Sequence, residues 1–405
     1  MEEEFGKNSS VKRDLSESEG MRADLEQWGK GTVAIYTLVG EENCRVILTT
    51  SNLQVAREAE PKIKAEDLNK LVFDFRQAVQ DPNIDPRPLG RKFYAILVAP
   101  IAKDLEGAKA VTLVWSLDGA LRYLPIAALH DGKQYMAERY QNVIITPASH
   151  TRLNASPVDA ILGLGLGVSK SFEKDWGTFS PLPSVPKELY AIINDGQKPQ
   201  STGIVPGKIL MDEAFTRRAL EGALAQGRYP LVHIASHFSF KPGNDTESFL
   251  LLGDGDRLTL DKINITAGGK FFYKVELLTL SACNTATGGE ANGKEVEGFA
   301  VLAQRQGAQA VLATLWPVAD ESTQELMKLF YQYRVVKHLT KAEALRQAQL
   351  ILLHGNAKER TGEKNTSSVA TPRSRLAVGA FVINPRAPFA HPYFWAPFIL
   401  IGNWR

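Results

Sequence analysis

Two side chains in this sequence have the types and setting for nucleophile-and-base chemistry. LVHIASHFSF leaves His237 at the end of an apolar run, and LLTLSACNTATGG leaves Cys283 at the end of the next, 46 residues later. An ordinary thiol has a pKa of about 8.5 and is only a few per cent thiolate near neutral pH, so it needs a neighbouring base. An imidazole fills that role and then returns the proton to a leaving amine, a contribution of roughly 10²- to 10⁴-fold. If the two apolar runs are adjacent strands, His237 and Cys283 face each other across the carboxyl edge of a sheet, as a cysteine–histidine dyad requires. The backbone N–H of Cys283, with one near Phe238 or Ser239, is then placed to cradle an oxyanion. Small Ser281 and Ala282 keep the approach to the thiol open.

Each of these residues also has an ordinary reading. A cysteine at a strand end is commonly a small buried hydrophobe, and a histidine a hydrogen-bonded structural residue; finding both at consecutive strand ends is what favours the dyad. His233 and His237 share the spacing of a zinc-binding HExxH pair, but Ile234 stands where the glutamate is needed and His233 falls inside the strand. GLGLGV at 163–168 has Val168 in place of the third glycine of a dinucleotide fingerprint, and no helix follows, so it reads as a strand with close backbone packing. Asp320, in LWPVADEST, reads either as the cap of a helix beginning at Glu321 or as a carboxylate lining a pocket for a basic side chain. Glu295 and Glu297 favour the start of a helix dipole, and either could orient His237. Cys44 reads as a packing residue.

The elements that must position these groups follow from apolar periodicity. Residues 32–50 alternate around a Gly-Glu-Glu-Asn turn and predict an antiparallel hairpin, and residues 63–79 show helical spacing. KFYAILVAPI and AVTLVWSL, followed by LRYLPIAAL, read as a strand or helix pair on a small first sheet. The polar stretch 151–159 marks a domain boundary. Beyond it, candidate strands at 160–166, 230–235, 275–282 and 308–315 alternate with candidate helices at 184–195, 213–225, 294–306, 321–334 and 341–354. Between His237 and Cys283, ESFLLLGDGDRLTL reads as a hairpin-like insertion. Such alternation predicts an α/β fold, a mainly parallel sheet flanked by helices, whose reactive groups gather at the carboxyl ends of strands. PYFWAPFILIGNW predicts a buried closing strand. Residues 355–388 form a long Gly-, Ser-, Thr-, Lys- and Arg-rich loop that is expected to shield the site or to be cut itself.

Composition bounds the function classes. With 405 residues, 44% hydrophobic and 23% charged, the chain resembles soluble globular proteins. No window approaches the roughly 18–20 consecutive apolar residues of a membrane span, and the polar start, residues 1–30, reads as a disordered tail without a secretory core. The net charge is +2 with no basic block, which argues against direct nucleic-acid or membrane binding. Two distant cysteines suggest no disulfide framework, which fits a reducing cytoplasm.

Taken together, LRYLPIAAL, LVHIASHF, SFLLLGDG, LTLSACNT, GKEVEGFAVLAQRQGAQAVLATLWPVADEST and HPYFWAPFILIGNW resemble the CHAT proteases, caspase-like clan CD cysteine peptidases related to separase. The resemblance implies a caspase-like peptidase domain at 156–405, preceded by a pseudo-caspase-like half at 31–155. It implies peptide-bond hydrolysis by His237 and Cys283, with no metal and no cofactor. Many relatives have a glycine directly after the histidine, where its N–H serves the oxyanion hole; Phe238 stands there in this chain. By position, Asp320 matches the separase carboxylate that selects basic residues, with Ser281 beside it in the substrate site. Family members commonly follow helical repeats and act in bacterial defence or cell death under a partner's control. No such repeats are visible here, so a separate sensor or activator protein is expected, with a protein or peptide as substrate. The alternative is a catalytically silent caspase-like scaffold for protein–protein interaction.

Overall fold

A computed structural model describes residues 24–59, 62–149, 152–155, 161–239, 241, 244–266, 270–284, 294–316, 318, 320–355 and 379–405. Of Thr266, Ala282 to Asn284, Lys294 to Gly298 and Asp320 it describes the backbone alone. The strands are β1 (Thr32–Val39), β2 (Cys44–Thr49), β3 (Gln54–Glu58), β4 (Thr112–Ser116), β5 (Gln141–Ile144), β6 (Gly163–Gly167), β7 (Phe172–Lys174) and β8 (Gly177–Phe179). They continue as β9 (Ile193–Asn194), β10 (Val205–Met211), β11 (Leu231–Ser239), β12 (Phe249–Leu251), β13 (Arg257–Thr259), β14 (Leu277–Asn284), β15 (Ala310–Thr314) and β16 (Phe398–Gly402). The longer helices are α1 (Ala65–Gln80), α2 (Arg87–Leu97), α3 (Val185–Ile192), α4 (Arg217–Ala225), α5 (Lys294–Arg305), α6 (Asp320–Tyr331) and α7 (Lys341–His354).

The order β3-β2-β1-β4-β5-β16-β15-β14-β11-β6-β10-β9 runs through both halves of the chain. The early strands therefore do not form a sheet of their own: β16 pairs parallel with β5 on one side and antiparallel with β15 on the other, and so joins the halves. The predicted β1–β2 hairpin is present, with Val39 opposite Cys44 across the turn, and Cys44 is fully buried in β2. KFYAILVAPI resolves into the end of α2 rather than a strand, because its apolar residues Phe93, Ile96 and Leu97 recur at helical spacing and are buried.

The four predicted strands of the later half are β6, β11, β14 and β15, neighbours in that sheet and mutually parallel. Their continuous apolar runs reflect burial on both faces by flanking helices, the condition that makes parallel strands read without alternation. Within β6 the alternation is one of size: Leu164 and Leu166 are buried, while Gly163, Gly165 and Gly167 face α3 and β9. A Cβ on Gly167 would come within 2.7 Å of Leu189 and Val185, so the glycines let α3 settle onto the sheet. The expected close backbone packing of GLGLG is thus present. The insertion ESFLLLGDGDRLTL forms the antiparallel pair β12–β13, and β12 continues the sheet beside the end of β11. Of the expected long loop, residues 356–378 lie outside the described residues; its end returns along the α1–α2 connection, with Ala380 bridged to Ile84. Among the described residues no helix is long and apolar enough to cross a membrane.

The backbones of β6 and β10 approach closely, since a Cβ on Gly207 would lie 1.9 Å from the carbonyl oxygen of Gly163. Gly207→Ala is expected to destabilise the fold by about 1–3 kcal/mol. Urea unfolding followed by circular dichroism measures this, and an unchanged midpoint would show that the two backbones are not in close contact.

Candidate functional site

β11 and β14 are parallel neighbours, as the dyad requires. Leu231 to Ala235 pair in register with Leu277 to Ser281; the register then shifts, and Phe238 lies opposite Cys283 and Ser239 opposite Asn284. Between those pairs β11 holds two residues, Ser236 and His237, while β14 holds only Ala282. This is a β-bulge on the histidine strand, a device that bends a strand and re-aims one side chain. The hydroxyl of buried Ser236 anchors it by donating to the carbonyl of Leu251 on β12, at 2.7 Å. His237 and Cys283 therefore sit inside β11 and β14 rather than just past them, because β12 extends the sheet and keeps the ends of both strands paired.

His237 has a defined orientation. Its Nε2 lies 2.8 Å from the carbonyl oxygen of Ser180, just after β8, and its ring lies 5.4 Å from that of Phe179. A carbonyl can only accept, so Nε2 carries the hydrogen and Nδ1 is left as the lone-pair nitrogen. Burial pushes the His237 pKa below its ordinary value, and the hydrogen bond to Ser180 opposes this in part. A neutral imidazole whose Nδ1 has no hydrogen-bond partner among the described residues is suited to accept a proton at neutral pH. Nothing in the local sequence marks Ser180 for this part, since it stands 57 positions away; only the fold brings it to His237.

His233 belongs to a different environment. Its Nε2 lies 2.8 Å from Glu188 Oε1 on α3 and its Nδ1 3.1 Å from the Tyr331 hydroxyl on α6, which in turn meets Thr279 Oγ1 at 2.9 Å. All four side chains are buried. Both ring nitrogens are used in joining β11 and β14 to the two helices, so His233 is occupied as a core residue. Among the described residues no three His, Cys, Asp or Glu side chains gather as a metal site.

Phe238 is buried and packs edge to face on Phe299 of α5, 4.8 Å between centroids. Its backbone lies between Leu250 of β12 and Cys283 of β14. Ser281 is buried opposite Ala235. Helix α6 begins at Asp320, one residue earlier than expected, at the same end of the sheet. A cavity of about 690 Å³ lies between the length of α6, the end of α7, residues 386–389 and the α3–β10 connection at Thr202 and Ile204, and none of its described lining residues belongs to β11 or β14. The side chains of Cys283, Asp320, Glu295 and Glu297 lie outside the described residues.

The CHAT domain pattern matches residues 87–403. The chain belongs to the CHAT domain family. Tetratricopeptide repeat protein 28 of Homo sapiens is 23% identical over 372 residues, which cover 78% of this CHAT chain and 13% of the human protein. The Mus musculus protein of the same name matches with the same identity and coverage. The chain thus spans about one eighth of the length of these relatives. Separase in the Saccharomyces cerevisiae separase–securin complex has a similar fold, with a TM-score of 0.51 at 9% identity, over 86% of this chain and 30% of that one. The fold is therefore the caspase-like one that separase also has.

The burial of His237 has a measurable consequence. Its NMR titration midpoint is expected below 6.5, its ordinary value. In the window below 6.5 the unfolded chain binds the proton more readily, so His237 makes stability fall as pH drops through that window and recover as pH rises. A midpoint at or above 6.5 would contradict the burial and favour an exposed ring.

Proposed function

We propose that the chain is a cysteine endopeptidase acting through His237 and Cys283. The observation that carries this reading is the bulged β11–β14 pairing, which sets the Cys283 backbone beside a histidine already held in the base tautomer. In the proposed cycle Nδ1 of His237 takes the Cys283 proton and the thiolate attacks the peptide carbonyl. The backbone N–H groups of Cys283 and Phe238 hold the oxyanion, each contributing roughly 10²- to 10³-fold. The imidazolium, stabilised through Nε2–H by the Ser180 carbonyl, protonates the leaving amine, and water hydrolyses the acyl-enzyme. Packing of the Phe238 ring onto Phe299 supports this, since the side chain that replaces glycine is accommodated in the core while its backbone stays in line with Cys283.

Asp320 is proposed to select a Lys or Arg side chain before the cut, with Ser281 beside it; its place at the start of α6, directly after β15 and so beside the end of β14, supports the assignment. The setting proposed is the cytoplasm, with residues 31–155 as a pseudo-caspase-like half beside the peptidase domain 156–405. Control by a separate sensor or activator in bacterial defence or cell death completes the reading. The silent-scaffold alternative draws on Phe238, whose backbone is flanked by strands on both sides.

Cleavage of a peptide library decides between the two. Cys283→Ala and His237→Ala are each expected to lower turnover at least 10³-fold, and a wild-type chain inactive with every partner tried would support the scaffold. For Asp320, profiling the residue before the cut is expected to show Lys or Arg, with the preference lost in Asp320→Asn. An indifferent profile would remove Asp320 from the site.

A further inference from the structure

Two hairpins meet beside His237 in an aromatic cluster. Trp176, in the β7–β8 turn, lies 5.3 Å from Phe179 and 5.2 Å from Phe249 of β12, ring to ring, and Phe179 lies against His237. The guanidinium of Arg257 on β13 covers the Trp176 ring at 5.3 Å. At the β12–β13 turn a Cβ on Gly255 would come within 2.7 Å of the Phe172 ring, so the hairpins are locked together as one unit. Phe249 is buried in that unit, whereas Trp176 and Phe179 keep part of their surface in water. Burying such surface against a ligand gains roughly 25 cal/mol per Å².

Sheet order gives this surface a direction relative to the cut. Along β15-β14-β11-β6, helix α6 with Asp320 follows β15, Cys283 lies in β14, His237 lies in β11, and the β7–β8 hairpin follows β6. A peptide crossing this edge with its scissile carbonyl at Cys283 and the residue before the cut toward Asp320 must send the residue after the cut past His237. General acid catalysis imposes the same placement, because the leaving amine has to come within about 3 Å of His237, directly or through one water. The side chain on that amine then meets the surface flanking the histidine ring, which is Phe179 and Trp176.

We propose that Trp176 and Phe179 bind an apolar or aromatic side chain immediately after the scissile bond, so that the enzyme selects its substrate on both sides of the cut. This rests on the endopeptidase reading above. Arg257 acts as a support, holding the Trp176 ring in place from outside, and Phe249 supports it from the core.

The test uses the full chain and two peptide libraries, mixed before the cut and identical after it except for Phe or Gly at the first position. Wild type is expected to favour the Phe library by about tenfold in kcat/KM, in the range that a single apolar pocket supplies. Trp176→Ala brings the ratio near one, and Trp176→Phe retains most of the preference. A ratio near one in wild type, or one unchanged by Trp176→Ala, overturns the proposal while leaving the peptidase reading intact. Fluorescence anisotropy with the Cys283→Ala chain separates the reverse case. Tighter binding of Phe peptides that depends on Trp176, without cleavage by wild type, would sustain the surface and sink the peptidase reading. Equal binding of Phe and Gly peptides by a chain folded by circular dichroism would sink the surface.

Discussion

The parallel pairing of β11 with β14 is the constraint on which the rest depends. It lies in the interior of a sheet that runs through both halves of the chain, and five residue pairs in register lead up to the bulge at Ser236 and His237. Because side chains alternate with a period of two, an in-register lead fixes which face each later residue occupies, and a single extra residue then changes it locally. The bulge offsets His237 from the ladder while returning Phe238 to register opposite Cys283. Two features hold it there: the Ser236 hydroxyl on Leu251, and the Ser180 carbonyl on His237.

Burial of polar groups serves the same pairing. His233, Thr279, Tyr331 and Glu188 form a chain of hydrogen bonds that links β11 and β14 to α6 and α3. Unpaired, each of these groups would cost about 1–3 kcal/mol on burial; paired, they set the helices on the sheet in one arrangement. At the other end of β14, Glu276 accepts from Arg334 and Lys341, and the Lys341 ammonium also meets the backbone carbonyl of Arg405. Burial, offset in part by Glu276, brings the Lys341 pKa down to about 8. One histidine of β11 is thus spent on architecture, and the other, four residues on, keeps a ring nitrogen with no partner among the described residues.

Much of this was legible in the sequence because the central strands are covered on both faces and so read as unbroken apolar runs. β6, β11, β14 and β15 and the helices between them fall within a few residues of the segments read from periodicity. β10 escaped notice, because VPGKILM carries Pro206 and Gly207 and exposes residues toward its start, so it reads as a turn. The expected helix at 321–334 gives way after Tyr331 to a wider turn, Gln332–Val336. At the site, His237 and Cys283 were legible as residue types at strand ends. The bulge, the Ser180 carbonyl and the aromatic hairpins were not, since each arises from contacts between segments distant in the chain. His233 shows the limit from the other side: its spacing to His237 suggests metal chemistry, and only the positions of Glu188 and Tyr331 reveal its structural part.

The central claim is that His237 activates Cys283, and the pH dependence of thiol alkylation tests it most directly. Cys44 provides an internal control, being fully buried with its pKa pushed up to about 11 by burial and by Asp118. Iodoacetamide followed by intact-mass analysis is expected to give one adduct, on Cys283, with an inflection below the ordinary thiol value of about 8.5. In His237→Ala the inflection is expected to rise and the neutral-pH rate to fall. Equal rates in both chains, or no adduct on Cys283 in the folded wild type, would contradict the account.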